Sequence, residues 1–254
     1  MTEMNTWQTV RIADIRLIHD IFKDILRFVR TAETVWCDAI VFWRQIMFRY
    51  LAKCGYFNSK TKNMTSGKNK AVFLDRDGTI HVDKVETRKI EDLEFFDDTI
   101  DFMRRMNELG YLIVIVTNQS GIGKGHYSVA EMRVFNNHMI SELEKSGVVV
   151  SALYYCPHTA EDNCFCMKPK DGMLRRAELE LNIDSSKSIM IGDQTHDVQA
   201  GIAKGIGANY IVTTGIYDTP NGKYELPEEL KGKVTVCNNL TEVISHYIEE
   251  VKKL

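Results

Sequence analysis

From residue 71 onward, short apolar runs alternate with amphipathic segments. The first run, residues 71–75, contains β-branched and aromatic side chains without polar alternation, which is typical of a strand buried on both faces of a parallel sheet. The later periodicity predicts the following elements: helix 97–109, strand 111–117, helix 128–145, strand 151–156, helix 171–181, strand 188–192, helix 195–204, strand 209–213 and helix 240–252. This order predicts an α/β domain over residues 71–254, with a central parallel sheet flanked by helices.

The first 63 residues have a different pattern and are predicted to form a helical extension. Residues 8–30 show one apolar helical face, and residues 34–52 are apolar nearly all round. Asp38, Arg44 and Arg49 interrupt the second segment, so it is a poor membrane span. Three interpretations remain open: a helical hairpin that packs on the domain or a partner, an interfacial membrane element, or an upstream extension outside the working protein. Residues 64–70 are predicted to be a linker.

The net charge also differs between the two parts of the chain. Residues 1–70 carry 12 Lys and Arg against 6 Asp and Glu, a net charge of +6, whereas residues 71–254 carry 20 against 29, a net charge of −9. The hydrophobic content of 44% is that of a globular protein with enough material for a core. The N-terminus lacks the basic region, apolar core and cleavage site of a secretory signal, so we expect a cytoplasmic protein.

Two carboxylates, Asp75 and Asp77, end the first predicted strand. Open α/β sheets bind their ligands at the carboxyl ends of strands, so chemistry is expected there. Phosphoryl transfer fits: Asp75 would attack phosphorus as a covalent nucleophile, and Asp77 would protonate the leaving oxygen and later deprotonate water. A phosphate beside two acids needs a counter-charge, for which carboxylate-bound Mg²⁺ is usual. The alternative is an acidic turn without catalytic function.

Residues further along the chain add to this predicted site. The hydroxyl of Thr117, at the end of the second strand, can hydrogen-bond a phosphoryl oxygen. Lys168 precedes a proline and so stays out of the following helix, where its charge would hold Asp75 and the phosphate together. Asp193, at the end of strand 188–192, would complete the Mg²⁺ site, although it could also cap the next helix. Asp197 would support this site or orient Lys168.

A glycine-rich stretch, GIGKG, follows the second strand but does not predict a nucleotide-binding loop. The phosphate-binding pattern GxxxxGK[ST] needs glycine at position 118 and Ser or Thr at 125, where Asn118 and Gly125 stand. Lys124 remains a candidate contact for an anionic substrate.

Four soft or borderline metal ligands lie within eleven residues: Cys156, His158, Cys164 and Cys166. Such a set suits tetrahedral Zn²⁺, and with no open position the metal would be structural. The clustering favours metal binding in a reducing compartment over a disulfide framework. Because this loop directly precedes Lys168, the metal would fix the position of that lysine.

The ordered motifs DxD, Thr, Lys-Pro and GDxxxD resemble those of the haloacid dehalogenase superfamily of phosphatases, over residues 71–250. The resemblance implies a Rossmann-like sheet and a catalytic mechanism with Asp75 as nucleophile and Asp77 as acid/base. Thr117 and Lys168 would stabilise the phosphoryl group. Mg²⁺ would be bound by Asp75, by Asp193 and by the backbone carbonyl of Asp77.

The Cys/His loop and the strings RDGTI, TNQSGIGKG and KPKDGML resemble the branch of heptose bisphosphate and histidinol-phosphate phosphatases, and favour the heptose enzymes. The resemblance implies removal of the 7-phosphate of a heptose 1,7-bisphosphate, in heptose precursor synthesis for lipopolysaccharide or S-layers. Histidinol phosphate or another small phosphometabolite is the alternative substrate. A binding protein docked to a membrane or partner through residues 1–63 is the alternative of another class. The expected substrate-binding residues are Asp83, Lys84, Val85, Glu86, Asn118, Gln119, Ser120, Lys124 and Met167.

One residue departs from the pattern of this branch. Met167 stands where arginine is usual and helps to recognise the substrate, so another cation is expected to compensate; the candidates are Lys84, Arg88, Lys124 and Lys170.

The spacing between motifs leaves no room for a cap domain. Only 41 residues separate Asp75 from Thr117, and 50 separate Thr117 from Lys168. An open site of this kind suits a small phosphorylated sugar. We expect a monomer that binds no nucleic acid.

Overall fold

The computed structural model describes residues 67–215 and 226–252. The predicted extension 1–63, part of the linker and residues 216–225 lie outside this described part, so the three interpretations of the extension stay open. Six parallel strands form one sheet, in the order β3-β2-β1-β4-β5-β6. Their bounds are β1 Lys70–Leu74, β2 Tyr111–Asn118, β3 Val150–Cys156, β4 Ile189–Gly192, β5 Ala208–Val212 and β6 Thr235–Cys237.

Helices connect these strands, and each helix predicted between residues 97 and 252 is present within two residues of its expected ends. The bounds are α1 Thr99–Glu108, α2 Ser120–Gly123, α3 Val129–Lys145, α4 Gly172–Leu181, α5 Thr195–Lys204 and α6 Leu240–Lys252. Ser128 caps α3 in a capping box with Glu131, as the sequence predicts. Among the helices described here, none is both long and apolar enough to cross a membrane.

Strand β1 lies in the interior of the sheet, between β2 and β4, and its two faces belong to different cores. Val72 and Leu74 belong to the apolar cluster on one face, and Ala71 and Phe73 to the cluster on the other. All four side chains are 0% exposed. The unbroken apolar run at 71–74 is therefore required, because both alternating faces of the strand are covered.

Some short elements were not predicted. Strand β6 has only three residues, Thr235–Cys237, and pairs with β5 at the edge of the sheet. A run of three residues is too short for a periodic pattern, so the sequence predicted five strands where the described residues form six. The four-residue helix α2 and the 3-10 turns Ile90–Asp92, Ser185–Lys187 and Glu228–Leu230 were missed for the same reason.

We predict that Phe73→Ala lowers the free energy of unfolding by about 3–5 kcal/mol, because it leaves a cavity at a fully buried position of β1. Val134→Ala on α3 is the control: that side chain is 57% exposed, and its loss should change stability by less than about 0.5 kcal/mol. Urea unfolding measures both. Equal stability of the two variants would contradict the central position of β1.

Candidate active site

Three adjacent strands of the sheet end at one cluster of polar side chains. Asp75 follows β1, Thr117 lies near the end of β2, and Asp193 follows β4. Because these strands are parallel neighbours in the order β2-β1-β4, their carboxyl ends lie together at one edge. The backbone N–H of Asp75 still donates to the carbonyl oxygen of Ile191 at 2.9 Å, so Asp75 continues the sheet pairing.

Lys168 joins this cluster through its buried ammonium group. Its Nζ lies 2.5 Å from Asp75 Oδ1, 2.6 Å from Asp197 Oδ1 and 2.8 Å from the carbonyl oxygen of Val116. Burial opposes its charge, but Asp197 and Asp75 outweigh this and raise the pKa of Lys168 above its usual value. Lys168 is therefore a fixed positive charge beside the carboxylate of Asp75.

Asn118 holds the backbone of Lys168 in place from the end of β2. The Lys168 N–H donates to Asn118 Oδ1 at 3.0 Å, and Asn118 Nδ2 donates to the Lys168 carbonyl at 3.1 Å. The Lys168–Pro169 peptide bond is cis. The lysine thus reaches Asp75 from a loop that is tied directly to the sheet.

Asp75, Asp193 and Asp197 bring carboxylate oxygens within 4.8 Å of one another. Burial raises the pKa of Asp75 well above its usual range and, with the charge of Asp197, raises the pKa of Asp193 to about 7. Within the described residues, the buried Oδ1 of Asp193 has no hydrogen-bond partner. The single Lys168 ammonium does not balance the negative charge that three ionised carboxylates would carry. Carboxylate oxygens are ligands that suit a divalent cation such as Mg²⁺, which would supply the missing positive charge.

Two glycines, Gly78 and Gly215, lie against the Asp193 carboxylate. A Cβ added to Gly78 would lie 2.6 Å from Asp193 Oδ2, and one added to Gly215 only 2.0 Å from it. These glycines allow the chain to pass close to the carboxylate, which a larger residue would displace.

The Asp77 carboxylate faces a different set of partners. Arg76 donates to it twice, from Nε at 2.9 Å and Nη2 at 2.6 Å, and Gln119 Nε2 donates at 2.9 Å. The Thr117 hydroxyl lies 3.5 Å away. Burial alone would raise the pKa of Asp77, but the nearby charges of Arg76 and His81 lower it. Asp77 is thus separate from the three-carboxylate group and is paired with a cation of its own.

The four predicted zinc ligands converge in the loop after β3. Neighbouring donor atoms are 3.3–3.5 Å apart, from Cys156 Sγ to Cys166 Sγ at 3.3 Å and to His158 Nδ1 at 3.5 Å. A zinc tetrahedron with ligand distances of about 2.0–2.3 Å has edges of about 3.3–3.8 Å, so the set fits zinc. Burial opposes ionisation, but hydrogen bonds from the Met167 N–H and neighbouring thiols lower the pKa of Cys164 to about 7. A thiolate, the form that binds metal, is thus accessible near neutral pH.

Comparison with known proteins gives close relatives for the same region. A HAD-hydrolase-like family model matches residues 165–243. D-glycero-beta-D-manno-heptose-1,7-bisphosphate 7-phosphatase of Haemophilus influenzae is 41% identical over 161 residues, which are 61% of this chain and 88% of that protein. The chain belongs to the haloacid dehalogenase superfamily of phosphatases. The sequence-based expectation of this family and enzyme class is confirmed.

Other members of the superfamily show the same similarity. D-glycero-alpha-D-manno-heptose-1,7-bisphosphate 7-phosphatase of Campylobacter jejuni is 42% identical over 145 residues, covering 57% of this chain and 83% of that protein. The crystal structure of D,D-heptose 1,7-bisphosphate phosphatase from B. bronchiseptica, complexed with magnesium and phosphate, superposes with a TM-score of 0.62 at 28% identity. The superposition covers 71% of this chain and 99% of the B. bronchiseptica chain.

The first group of predicted substrate residues lies on the segment between β1 and α1. Val85 and Glu86 have left-handed backbones, with φ of 59° and 56°, and Val85 is 75% exposed. Such conformations cost about 1–3 kcal/mol and are concentrated at functional sites. Glu86 contacts His126 Nδ1 at 2.8 Å, Lys84 pairs with Glu94 at 3.1 Å, and Asp83 accepts a hydrogen bond from Thr87.

The second group follows β2, and several of its side chains already bind protein atoms. Asn118 holds Lys168, and Gln119 donates to Asp77 and accepts from the Tyr127 hydroxyl at 2.8 Å. No side-chain hydrogen bond of Ser120 is found within 67–215 and 226–252. Met167 packs on the apolar cluster beside α4.

The four candidate substitutes for the usual arginine at position 167 differ in their contacts. Lys170 donates to Asn163 and to the Cys164 carbonyl, Lys84 pairs with Glu94, and the Arg88 guanidinium lies 5.6 Å from the centre of the Tyr127 ring. Within the described part of the chain, Lys124 has no ion pair. Arg88 likewise forms no ion pair within the described residues, so Lys124 and Arg88 both remain candidates for the contact with an anionic substrate.

Sequence reasoning missed Arg76 and the positioning contacts of Asn118. The sequence feature that could have drawn attention to Arg76 is its position between Asp75 and Asp77. The sequence did not reveal that this side chain is buried, since its flanking pattern also fits an exposed turn.

We predict that Asn118→Ala lowers the free energy of unfolding by about 1–3 kcal/mol, because both buried backbone groups of Lys168 lose a partner. Ser120→Ala is the control and should change stability by less than about 0.5 kcal/mol. Guanidinium unfolding compares them, and an Asn118 variant as stable as the control would show that the two hydrogen bonds are dispensable.

Proposed function

We propose that the protein is a Mg²⁺-dependent phosphatase that removes the 7-phosphate from D-glycero-D-manno-heptose 1,7-bisphosphate through an aspartyl-phosphate. The observation that carries this proposal is the buried Asp75 carboxylate, held 2.5 Å from Lys168 at the end of the central strand. The relatives named for this reaction, at about 40% identity, support the substrate.

In the first half of the reaction, an Asp75 carboxylate oxygen attacks the phosphorus, and the bond from phosphorus to the sugar oxygen breaks. Asp77 in its protonated form gives its proton to the leaving oxygen. The Lys168 ammonium and the Thr117 hydroxyl stabilise the negative charge on the phosphoryl oxygens. The products are the sugar alcohol and a phosphate ester of Asp75.

In the second half, ionised Asp77 takes a proton from water, which attacks the phosphorus of the aspartyl-phosphate. The bond between phosphorus and the Asp75 oxygen breaks, inorganic phosphate leaves, and Asp77 is protonated again.

Two metals fit the residues present. Asp75, Asp193 and the backbone carbonyl of Asp77 would hold Mg²⁺, which would neutralise charge on the phosphate. Asp197 would act indirectly, through its contact with Lys168. Cys156, His158, Cys164 and Cys166 would hold a structural Zn²⁺, and their free thiols suit a cytoplasmic enzyme.

Phosphate release in the presence of Mg²⁺ tests this function on both anomers of the heptose bisphosphate and on histidinol phosphate. We expect a strong preference for one heptose anomer. Preference for histidinol phosphate would replace the proposed substrate while leaving the phosphatase chemistry intact.

We predict that Asp75→Asn loses activity by about 10⁴-fold or more, since an amide cannot act as the nucleophile. Asp101→Asn is the matched control, because that carboxylate is 81% exposed on α1 and should be silent. Steady-state kinetics measures both variants. Retained activity of Asp75→Asn would overturn the mechanism.

We also predict that Cys164→Ser loses bound zinc and about 3 kcal/mol or more of stability before its intrinsic chemistry changes. Phe165→Ser, in the same loop but 63% exposed, should keep its zinc. Elemental analysis and thermal unfolding follow the two properties. A full zinc content in Cys164→Ser would exclude the predicted site.

A further inference from the structure

Arg76 is among the largest fully buried side chains in the described part of the chain, with 1% of its surface exposed. Removing a guanidinium from water costs several kcal/mol unless a charged partner and further hydrogen bonds compensate. The partner is Asp77, its neighbour in sequence, which receives two parallel hydrogen bonds from Nε and Nη2. This bidentate geometry fixes the plane of the carboxylate as well as its position.

The guanidinium is itself held from two other parts of the fold. Its Nη1 donates to Asn136 Oδ1 on α3 at 2.8 Å, and its Nη2 donates to the carbonyl oxygen of Thr87 at 3.0 Å. It also lies 4.9 Å from the centre of the Phe135 ring. Because these contacts come from separate segments, Arg76 has no freedom to follow a moving carboxylate.

The Asp77 carboxylate is clamped from a second direction. Gln119 Nε2 donates to its Oδ2 at 2.9 Å, and the Gln119 carbonyl accepts from the Tyr127 hydroxyl at 2.8 Å. The Asp77 side chain nevertheless remains 18% exposed, whereas the Arg76 side chain is only 1% exposed. A substrate can therefore reach the exposed part of the Asp77 side chain but not the buried Arg76 side chain.

We propose that Arg76 is a positioning residue that, together with Gln119, holds the Asp77 carboxylate in the orientation required for proton transfer to the leaving oxygen. This inference rests on the proposed function, in which Asp77 is the acid/base. A proton donor must lie within hydrogen-bond reach of its acceptor, so a carboxylate free to rotate transfers its proton less efficiently.

The consequence is a dependence on the leaving group. A sugar alkoxide departs only with a proton, whereas p-nitrophenolate is stable enough to depart without one. Loss of positioning should therefore slow hydrolysis of alkyl phosphates much more than that of p-nitrophenyl phosphate. A purely structural role of Arg76 would slow both substrates by the same factor.

The experiment compares kcat/KM, which includes only steps up to departure of the leaving group, for heptose bisphosphate and p-nitrophenyl phosphate. For Arg76→Lys, relative to the unmodified enzyme, we expect a loss of about 10- to 100-fold on the sugar phosphate. On p-nitrophenyl phosphate the loss should be below about 3-fold, since proton transfer contributes little there. Equal losses on the two substrates, or no loss on either, would overturn the inference.

Asn136→Leu provides a second variant in case Arg76→Lys does not fold. It removes one support of the guanidinium but leaves Arg76 and Asp77 in place, so a smaller loss with the same selectivity is expected. Circular dichroism establishes that each variant is folded.

Asp77→Asn separates this inference from the proposed function. If Asp77→Asn loses kcat/KM selectively on the sugar phosphate while Arg76→Lys and Asn136→Leu do not, the positioning role of Arg76 is refuted but the proposed function stands. Uniform or absent loss in Asp77→Asn would refute the acid/base assignment, and the inference with it.

Discussion

The contact of one buried ammonium with two buried carboxylates is the interaction on which the rest of the site depends. Lys168 Nζ lies within 2.6 Å of oxygens of both Asp75 and Asp197. Buried like charges repel strongly, and a carboxylate cluster without a cation would take up protons and lose its ability to attack phosphorus. The charge of Lys168 favours the ionised form of Asp75, and a divalent cation would do the same for the other carboxylates.

The sheet explains why so many charges can meet in a buried place. Parallel pairing of β2, β1 and β4 brings three strand ends together without any long irregular segment entering the core. The backbone N–H and C=O groups of those strands are already hydrogen-bonded within the sheet. The free-energy cost of burying charge therefore comes from the polar side chains at the strand ends. That cost is offset within the site by pairs such as Lys168 with Asp75 and Arg76 with Asp77.

The residues at strand ends could be predicted from sequence because a change from apolar to polar positions marks the end of a buried strand. Asp75, Thr117 and Asp193 carry that signal in their local sequence. Arg76 does not: its partners Thr87 and Asn136 are distant in sequence and come together only in the fold. The two hydrogen bonds between Asn118 and Lys168 could not be predicted for the same reason. Strand β6 could not be predicted because it is too short to show a periodic pattern.

The loop with the four Cys and His ligands leaves β3, an edge strand, and enters α4 without rejoining the sheet. The backbone of Lys168, two residues beyond the last ligand, is anchored separately by Asn118. Neither of the two hydrogen bonds that anchor the Lys168 backbone involves Phe165 or Met167. The ammonium group beside Asp75 is therefore supported from two independent sides, by the sheet through Asn118 and by the carboxylate of Asp197.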